Sequence, residues 1–316
     1  MGMVFCRIIL FYFNVSMVSA IITTHNRKDL LARAIISVFS QTYKDLELIV
    51  VSDGSTDGTD EFMKKYETNE QVNYISYYPG RGGNYARNQG IKAARGEFVA
   101  FLDDDDEWLP EKIEKQLKVI ESDPKIGLVY TGTHSIYVDY NVEYYSRPWL
   151  QGNMSRKILL YNFVGSTTTV MLKKTVFEKT EMFDETLSAI QDYDLWIRIC
   201  QEFEVGVVSE PLANYYNYNS SGQISSDFQK YEIAYEILHK KYEVLFKKLT
   251  KNEWNKKVAN QEIEIAIKAL RNGNAKVARS YYKKSLKIMF QFKTLFLLLA
   301  SFFGFSFLLN IRGKMS

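Results

Sequence analysis

Cysteine is nearly absent: Cys6 and Cys200 are the two that this chain has. That excludes a disulfide framework and a thiolate metal site, and it makes a reducing, cytosolic setting the expectation, with Cys200 as a core thiol. Proline is also sparse, at 5 in 316 residues, while hydrophobic residues make up 46% and charged ones 24%. This composition excludes disorder and suits one large folded domain or two smaller ones. No sign of charge dominates, since 40 basic residues against 37 acidic ones leave a formal net charge of +3. With no compact arginine-rich tract either, nucleic acid is excluded as an expected partner.

Long apolar runs are confined to the two ends. "MGMVFCRIILFYFNVS" runs straight into a strand-like "VSAIITT" with no small-residue cleavage site, so residues 1–17 read as an upstream extension, with Met17 as the start, or as a short N-terminal anchor. At the other end "TLFLLLASFFGFSFLLNI", residues 294–311, is uncharged, between Lys293 and the pair Arg312 and Lys314. At about 1.5 Å per residue the run reaches roughly 27 Å, barely a bilayer's core. Residues 293–316 are therefore expected to be a membrane tail, spanning or lying in the interface. Arg279, Lys283, Lys284 and Lys287 just before it suit an anionic cytoplasmic leaflet.

Between the ends, apolar strand-like runs alternate with amphipathic helical ones. "VSAIIT", the helix face of Leu30, Leu31, Ala34, Ile35, Val38 and Phe39, and "ELIVVSD" make one βαβ unit. The alternation continues through "EFVAFLD" and "IGLVYTGTH" to about residue 134, which predicts an α/β fold with a parallel, doubly wound, Rossmann-like sheet. Residues 135–165 lose any clean period and read as a binding loop. Residues 226–292 read as a helical extension, including one tetratricopeptide-like helix pair that turns at Asn272 to Asn274. The expected organisation is thus 18–225, 226–292 and 293–316, after the leading 1–17.

Ligands of such sheets bind beyond the carboxyl ends of the strands. Four stretches fall there: "TTHNR" (23–27), "SDGSTDGT" (52–59), "GRGGNYARNQG" (80–90) and "DDDD" (103–106). Adjacent carboxylates behind a buried strand repel unless a cation sits among them. Neither acidic stretch is a calcium loop: counting from Asp103 puts Trp108 where the glycine belongs, and counting from Asp53 puts Lys64 where the closing acid belongs. Three glycines ahead of a helix favour phosphate. Read alone, Asp53 starts an Asx turn, the quartet is a solvated helix start, and Asp192 in "IQDYDLWIR" caps its helix.

In order and spacing these stretches, with "FDE", "QDYDLWIR" and "EPL" later on, resemble the inverting glycosyltransferases of family 2, which have a GT-A fold. The resemblance covers roughly residues 18–225. It implies a nucleotide-sugar donor, most often UDP-linked, with Asp53 on the uracil N–H and Thr24 and His25 lining the base pocket. It implies Arg87 facing the diphosphate, and Asp103-Asp104-Asp105 as the metal motif for Mn²⁺ or Mg²⁺. Asp105 is then the first ligand and Asp103 the second, with Asp103 and Asp104 beside the nucleotide sugar; Asp104 and Asp106 form a competing Asp-x-Asp. It implies Asp192 as the catalytic base, lying two residues from Asp194 and so on another side of the helix. With the tail, the expected reaction is transfer to a hydroxyl of a glycan acceptor, lipid-linked, at the cytoplasmic face of the cell membrane, in capsule, exopolysaccharide or cell-wall synthesis.

The chain departs from the family pattern at three places. Gln191 stands for a usual glutamate, Tyr216 and Tyr218 replace a cation and a possible ligand, and Met182 replaces a glycine near Asp184. The departures at Gln191, Tyr216 and Tyr218 are the support for an inactive membrane scaffold of the same fold. A sugar-phosphate nucleotidyltransferase is the other alternative, and "TTHNR" lacks the glycines its phosphate loop requires.

Overall fold

The computed structural model describes residues 16–218 and 227–315. Residues 1–15, with Cys6 and most of the expected leading segment, lie outside the described residues, as does the expected boundary at 225. The first half alternates as its apolar pattern predicts: β1 (Val18–Thr24), α1 (Lys28–Phe39), β2 (Leu46–Asp53), α2 (Thr59–Met63), β3 (Val72–Tyr77), α3 (Gly83–Ala93) and β4 (Phe98–Asp103). Then follow β5 (Glu107–Trp108), α4 (Lys112–Ile120), β6 (Ile126–Tyr137), β7 (Val142–Tyr145), β8 (Val170–Lys173), α5 (Phe177–Thr180), α6 (Gln191–Glu202) and β9 (Glu204–Asn217).

All nine strands form one sheet in the order β3-β2-β1-β4-β8-β6-β9-β5, with β7 beside the end of β6. β1 to β4 are mutually parallel, while β8 runs antiparallel to β4 and β6, so the sheet is mixed rather than wholly parallel. Val18, Ala20 and Ile22 face one apolar cluster and Ile21 the other, which is why β1 reads as a continuous apolar run. Each fully buried Ile or Val contributes about 1.5–3 kcal/mol to that packing. Cys200 is buried as expected, and burial pushes its thiol up to about 12.

Helices close the fold: α7 (Phe228–Lys241), α8 (Glu243–Phe246), α9 (Lys251–Arg271), α10 (Ala275–Ile288), α11 (Phe292–Ala300) and α12 (Phe305–Met315). Tyr231, Tyr235, Leu238, Ile265 and Tyr282 from this set share one apolar cluster with Trp196 of α6. A Thr250–Glu253 capping box starts α9.

Of the two readings of residues 293–316, spanning the membrane or lying in its interface, the spanning one finds no helix to support it. Residues 294–311 are not one helix, and among the described residues no helix is long and apolar enough to cross a membrane. The break has a local cause: α11 ends in a 3₁₀ turn at Ser301–Phe303, and Gly304 takes φ +85°, which a residue with a side chain resists. Beyond it α12 turns back onto protein, with Phe305 against Tyr137 and Tyr140, and Leu309 buried with Val142 and Tyr144.

Candidate active site

Parallel register brings the strand ends level: Thr24 pairs Ser52, Thr23 pairs Asp103, and Asp53 pairs Tyr77. Thr24, His25, Asp53, Arg87, Asp103, Asp104, Asp105 and Asp192, all singled out by sequence, line one cavity of about 1150 Å³.

Asp53 braces this edge. Its carboxylate accepts from the Arg81 N–H at 2.6 Å and the Gly82 N–H at 2.8 Å, which fixes the loop leading into α3. Its carbonyl takes His25 Nδ1 at 2.5 Å while the Asn26 amide donates to Nε2 at 3.1 Å, so the ring proton belongs on Nδ1. Gly54 makes the fit possible: it sits at φ +69°, and a Cβ there would lie 2.4 Å from the Gly80 backbone nitrogen. Gly54→Ala is therefore expected to lower stability by roughly 1–3 kcal/mol and to weaken nucleotide binding. Thermal unfolding with and without nucleotide checks both, and an unchanged melting temperature contradicts this account of the loop.

The four consecutive aspartates have four different surroundings. Asp103 accepts from Arg87 Nη2 at 3.0 Å and from the Ser166 and Thr167 hydroxyls at 3.3 Å. Asp104 and Asp105 share Arg27 Nη1, at 3.0 and 3.2 Å. Burial pushes the Asp104 carboxyl up to about 6, with Arg27 pulling it back. Asp106 is wholly buried, held by the Thr168 hydroxyl at 2.7 Å and the Tyr216 N–H at 3.0 Å, and burial raises it well above the usual carboxyl range. Two arginines and a hydrogen-bond net thus answer the repulsion that the sequence poses. Asp106 is not among the cavity-lining residues, so the competing Asp104/Asp106 pair does not present two carboxylates to a ligand.

Among the described residues no group of three or more His, Cys, Asp or Glu is placed to hold a metal ion. Asp103 and Asp105 supply two hard carboxylates to the cavity. That donor set fits Mg²⁺ or Mn²⁺, which bind through one or two carboxylates and complete their shell with phosphate and water.

Arg87 stands beside them on α3, only 9% exposed, and its Nη1 is buried with no acceptor among the described residues. A buried, unpaired guanidinium N–H at a cavity wall calls for an anion. The neighbouring asparagines hold the "FDE" segment: Asn84 donates to the Asp184 and Leu187 carbonyls, both at 2.8 Å, and Asn88 donates to the Phe183 carbonyl at 3.0 Å. Asp184 itself does not line the cavity. Burial raises its carboxyl, but Lys241 at 2.6 Å outweighs that and brings it down to about 2.

Ile190, at φ +50°, starts α6 and carries Asp192 into its first turn; the N-cap position is Ile190, so Asp192 is not the cap. Asp192 accepts from the Tyr193 N–H at 2.7 Å, and the Asn162 amide lies 3.5 Å from its other oxygen. Burial pushes its carboxyl up to about 6, with Glu264 and Asp103 adding to the rise and Arg87 opposing it. Asp194 points the other way, fully buried between Arg198 at 2.7 Å, Lys241 at 2.8 Å and the Tyr242 hydroxyl at 2.7 Å. Tyr216 is engaged outside the cavity, donating to Glu107 at 2.8 Å beneath the Arg33 guanidinium, whereas Tyr218 lines it.

Several lining residues had no assigned role from sequence. Arg27 lay in a quoted motif without one. Arg147, Trp149 and Asn162 come from the irregular stretch read as a binding loop, and Glu264 and Lys268 come from α9 in the helical extension.

A mixed α/β sheet whose strand ends present carboxylates and a buried arginine to one cavity puts a candidate ligand site where α/β sheets hold theirs. The chain belongs to glycosyl transferase family 2, whose model matches residues 19–181. An uncharacterized glycosyltransferase of Rickettsia typhi is 32% identical over 248 residues, covering 75% of this chain and 74% of that one. TuaG of Bacillus subtilis, described as a candidate teichuronic acid biosynthesis glycosyltransferase, is 28% identical over 207 residues, 65% of this chain and 81% of its own. Two solved structures share the fold at 16% identity. S. aureus TarS 1–349 in complex with UDP-GlcNAc superposes with TM-score 0.57 over 86% of this chain and 90% of that one. A mannosyltransferase of Pyrobaculum calidifontis in complex with GDP-Man and Mn²⁺ gives 0.56 over 90% and 79%. The chain is thus a glycosyltransferase with a GT-A-like fold and added C-terminal helices.

Proposed function

We propose that this glycosyltransferase moves a sugar from a nucleotide donor, UDP-linked by preference, to a hydroxyl of a lipid-linked glycan, with inversion, in the synthesis of a cell-surface polysaccharide at the cytoplasmic face of the membrane. The observation that carries the reading is the unpaired Nη1 of Arg87 beside Asp103 and Asp105, in the same cavity as Asp192. TarS with UDP-GlcNAc and the mannosyltransferase with GDP-Man support a nucleotide-sugar donor, and TuaG supports a polysaccharide product.

The chemistry follows from the side chains. Asp53 and His25 receive the base, and Arg87 meets the diphosphate with its free N–H. The Asp192 carboxylate takes the proton of the acceptor hydroxyl as that oxygen attacks the anomeric carbon, and the bond from that carbon to the diphosphate oxygen breaks on the opposite face. A divalent cation, held by Asp105 and Asp103 when bound, supplies neutralising charge for the departing diphosphate. With a cation missing at Tyr216 and Tyr218, Arg87 carries more of that duty than in relatives that have one.

Asp192 must be ionised to act, so transfer rises as pH passes upward through about 6 and falls below it. The dependence of kcat/KM on pH checks this; a flat profile between about pH 5 and pH 8 contradicts the base assignment. The configuration of the new linkage, read by proton NMR from a donor of known anomer, tests inversion. A product that keeps the donor's configuration overturns the single-displacement mechanism.

A further inference from the structure

The broken tail leaves a surface that the site does not use. Phe290, Phe292, Phe296, Leu299, Phe302 and Phe303 are between 47 and 82% exposed. Residues 292, 296, 299 and 303 recur at helical spacing along one face, so this is a continuous outer patch and not scattered side chains. Its rings touch mainly one another, Phe290 with Phe292 at 5.2 Å and, across the break, Phe303 with Phe307 at 4.9 Å.

Within the segment that carries the patch, charge has one sign. From residue 272 to 316 there are eight lysines and arginines and not one aspartate or glutamate. On α10, Lys276, Arg279, Lys283 and Lys287 recur at helical spacing along one side. The Arg279 guanidinium lies 4.6 Å over the Phe302 ring, which sets that stripe against the edge of the aromatic patch.

We infer that α10, the turn at Ser301–Gly304 and the outer face of α11 form a monotopic docking surface for an anionic lipid bilayer, with the phenylalanines in the interface and the α10 stripe on the headgroups. Aromatic side chains over an apolar face, flanked on α10 by a stripe of cations, suit a lipid–water boundary, where apolar burial and attraction to anionic headgroups add. A second copy of this chain is the poorer occupant, since pairing two such faces opposes like charges. The inference deepens the membrane-facing part of the proposed function. It rests on surface residues outside the cavity, so lipid binding and sugar transfer can fail separately.

The surface is tied to the site. α12 packs on the β6–β7 hairpin through Phe305 and Leu309, and the Arg312 guanidinium lies 4.1 Å over Tyr144. Thr133 and Ser135 of β6, and Trp149 beyond β7, line the cavity. Docking therefore sets the cavity at a fixed height above the lipid, where a lipid-linked acceptor presents its glycan.

Flotation of the full chain with vesicles tests this, using phosphatidylcholine alone and phosphatidylcholine mixed with phosphatidylglycerol. The wild type is expected to bind the anionic vesicles and to release as salt rises. Phe302→Ser/Phe303→Ser should weaken that binding at least about tenfold without lowering the melting temperature, because both rings are exposed. Lys283→Gln/Lys287→Gln should cost about fivefold per lysine on anionic vesicles, and little on phosphatidylcholine. Wild-type levels of binding by both variants overturn the inference. So does absence of vesicle binding by the wild type, or a lipid-free dimer that the phenylalanine substitutions dissolve.

Discussion

Asp192→Asn is expected to lower transfer by at least about 10²-fold while leaving nucleotide-sugar affinity near the wild-type value, because only the proton acceptor is lost. Stability separates this from a folding defect. The Asp192 carboxyl titrates at about 6 in the folded protein, against about 3.9 in an unfolded chain. A raised acid destabilises the fold as pH rises above the unfolded value, with the full effect above the folded one. Asparagine removes that charge, so at pH 7 the variant should melt no lower than the wild type, and any gain should vanish toward pH 4. Near-normal turnover removes Asp192 from the mechanism; a fall in turnover that tracks a fall in melting temperature makes it a packing residue.

Asp105→Asn is expected to act on the donor side. Transfer should fall about 10³-fold or more, and nucleotide affinity measured in Mn²⁺ should fall at least about tenfold, toward the value found in chelator. Asp106→Asn is the contrasting substitution, because Asp106 is sealed beneath Thr168 and Tyr216 and should report on stability first. Isothermal titration with nucleoside diphosphate, with and without Mn²⁺, reads the difference. Unchanged affinity of Asp105→Asn in Mn²⁺ sinks the ligand assignment.

Much of the fold was legible because parallel strands buried on both faces read as unbroken apolar runs, and the residues that end them line the cavity. Thr24, Asp53 and Asp103 were found in this way. The order within the quartet was not legible, since four identical side chains differ only in which arginine or hydroxyl reaches them. The break in the tail was illegible for a related reason: hydropathy counts apolar residues but does not register the bend at Gly304 or the packing of Leu309 on Tyr144. Glu264 and Lys268, four apart on α9, look in sequence like a solvated pair on a surface helix. Only the folding of that helix into the shared apolar cluster brings them to the cavity.

That placement bears on the departure at Gln191. Glu264 of α9 lines the same cavity as Asp192 and adds to its raised titration, which sets a carboxylate near Asp192 although Gln191 is not one. The candidate site therefore draws lining residues from the C-terminal helices as well as from the sheet.

The central claim is tested most directly by release of nucleoside diphosphate from a panel of nucleotide sugars in Mn²⁺, with and without membrane lipid extract. The account predicts release from one donor, UDP-linked, that rises when the extract is added and is lost in Asp192→Asn. No release from any donor, with nucleotide still bound and extract present, would contradict it.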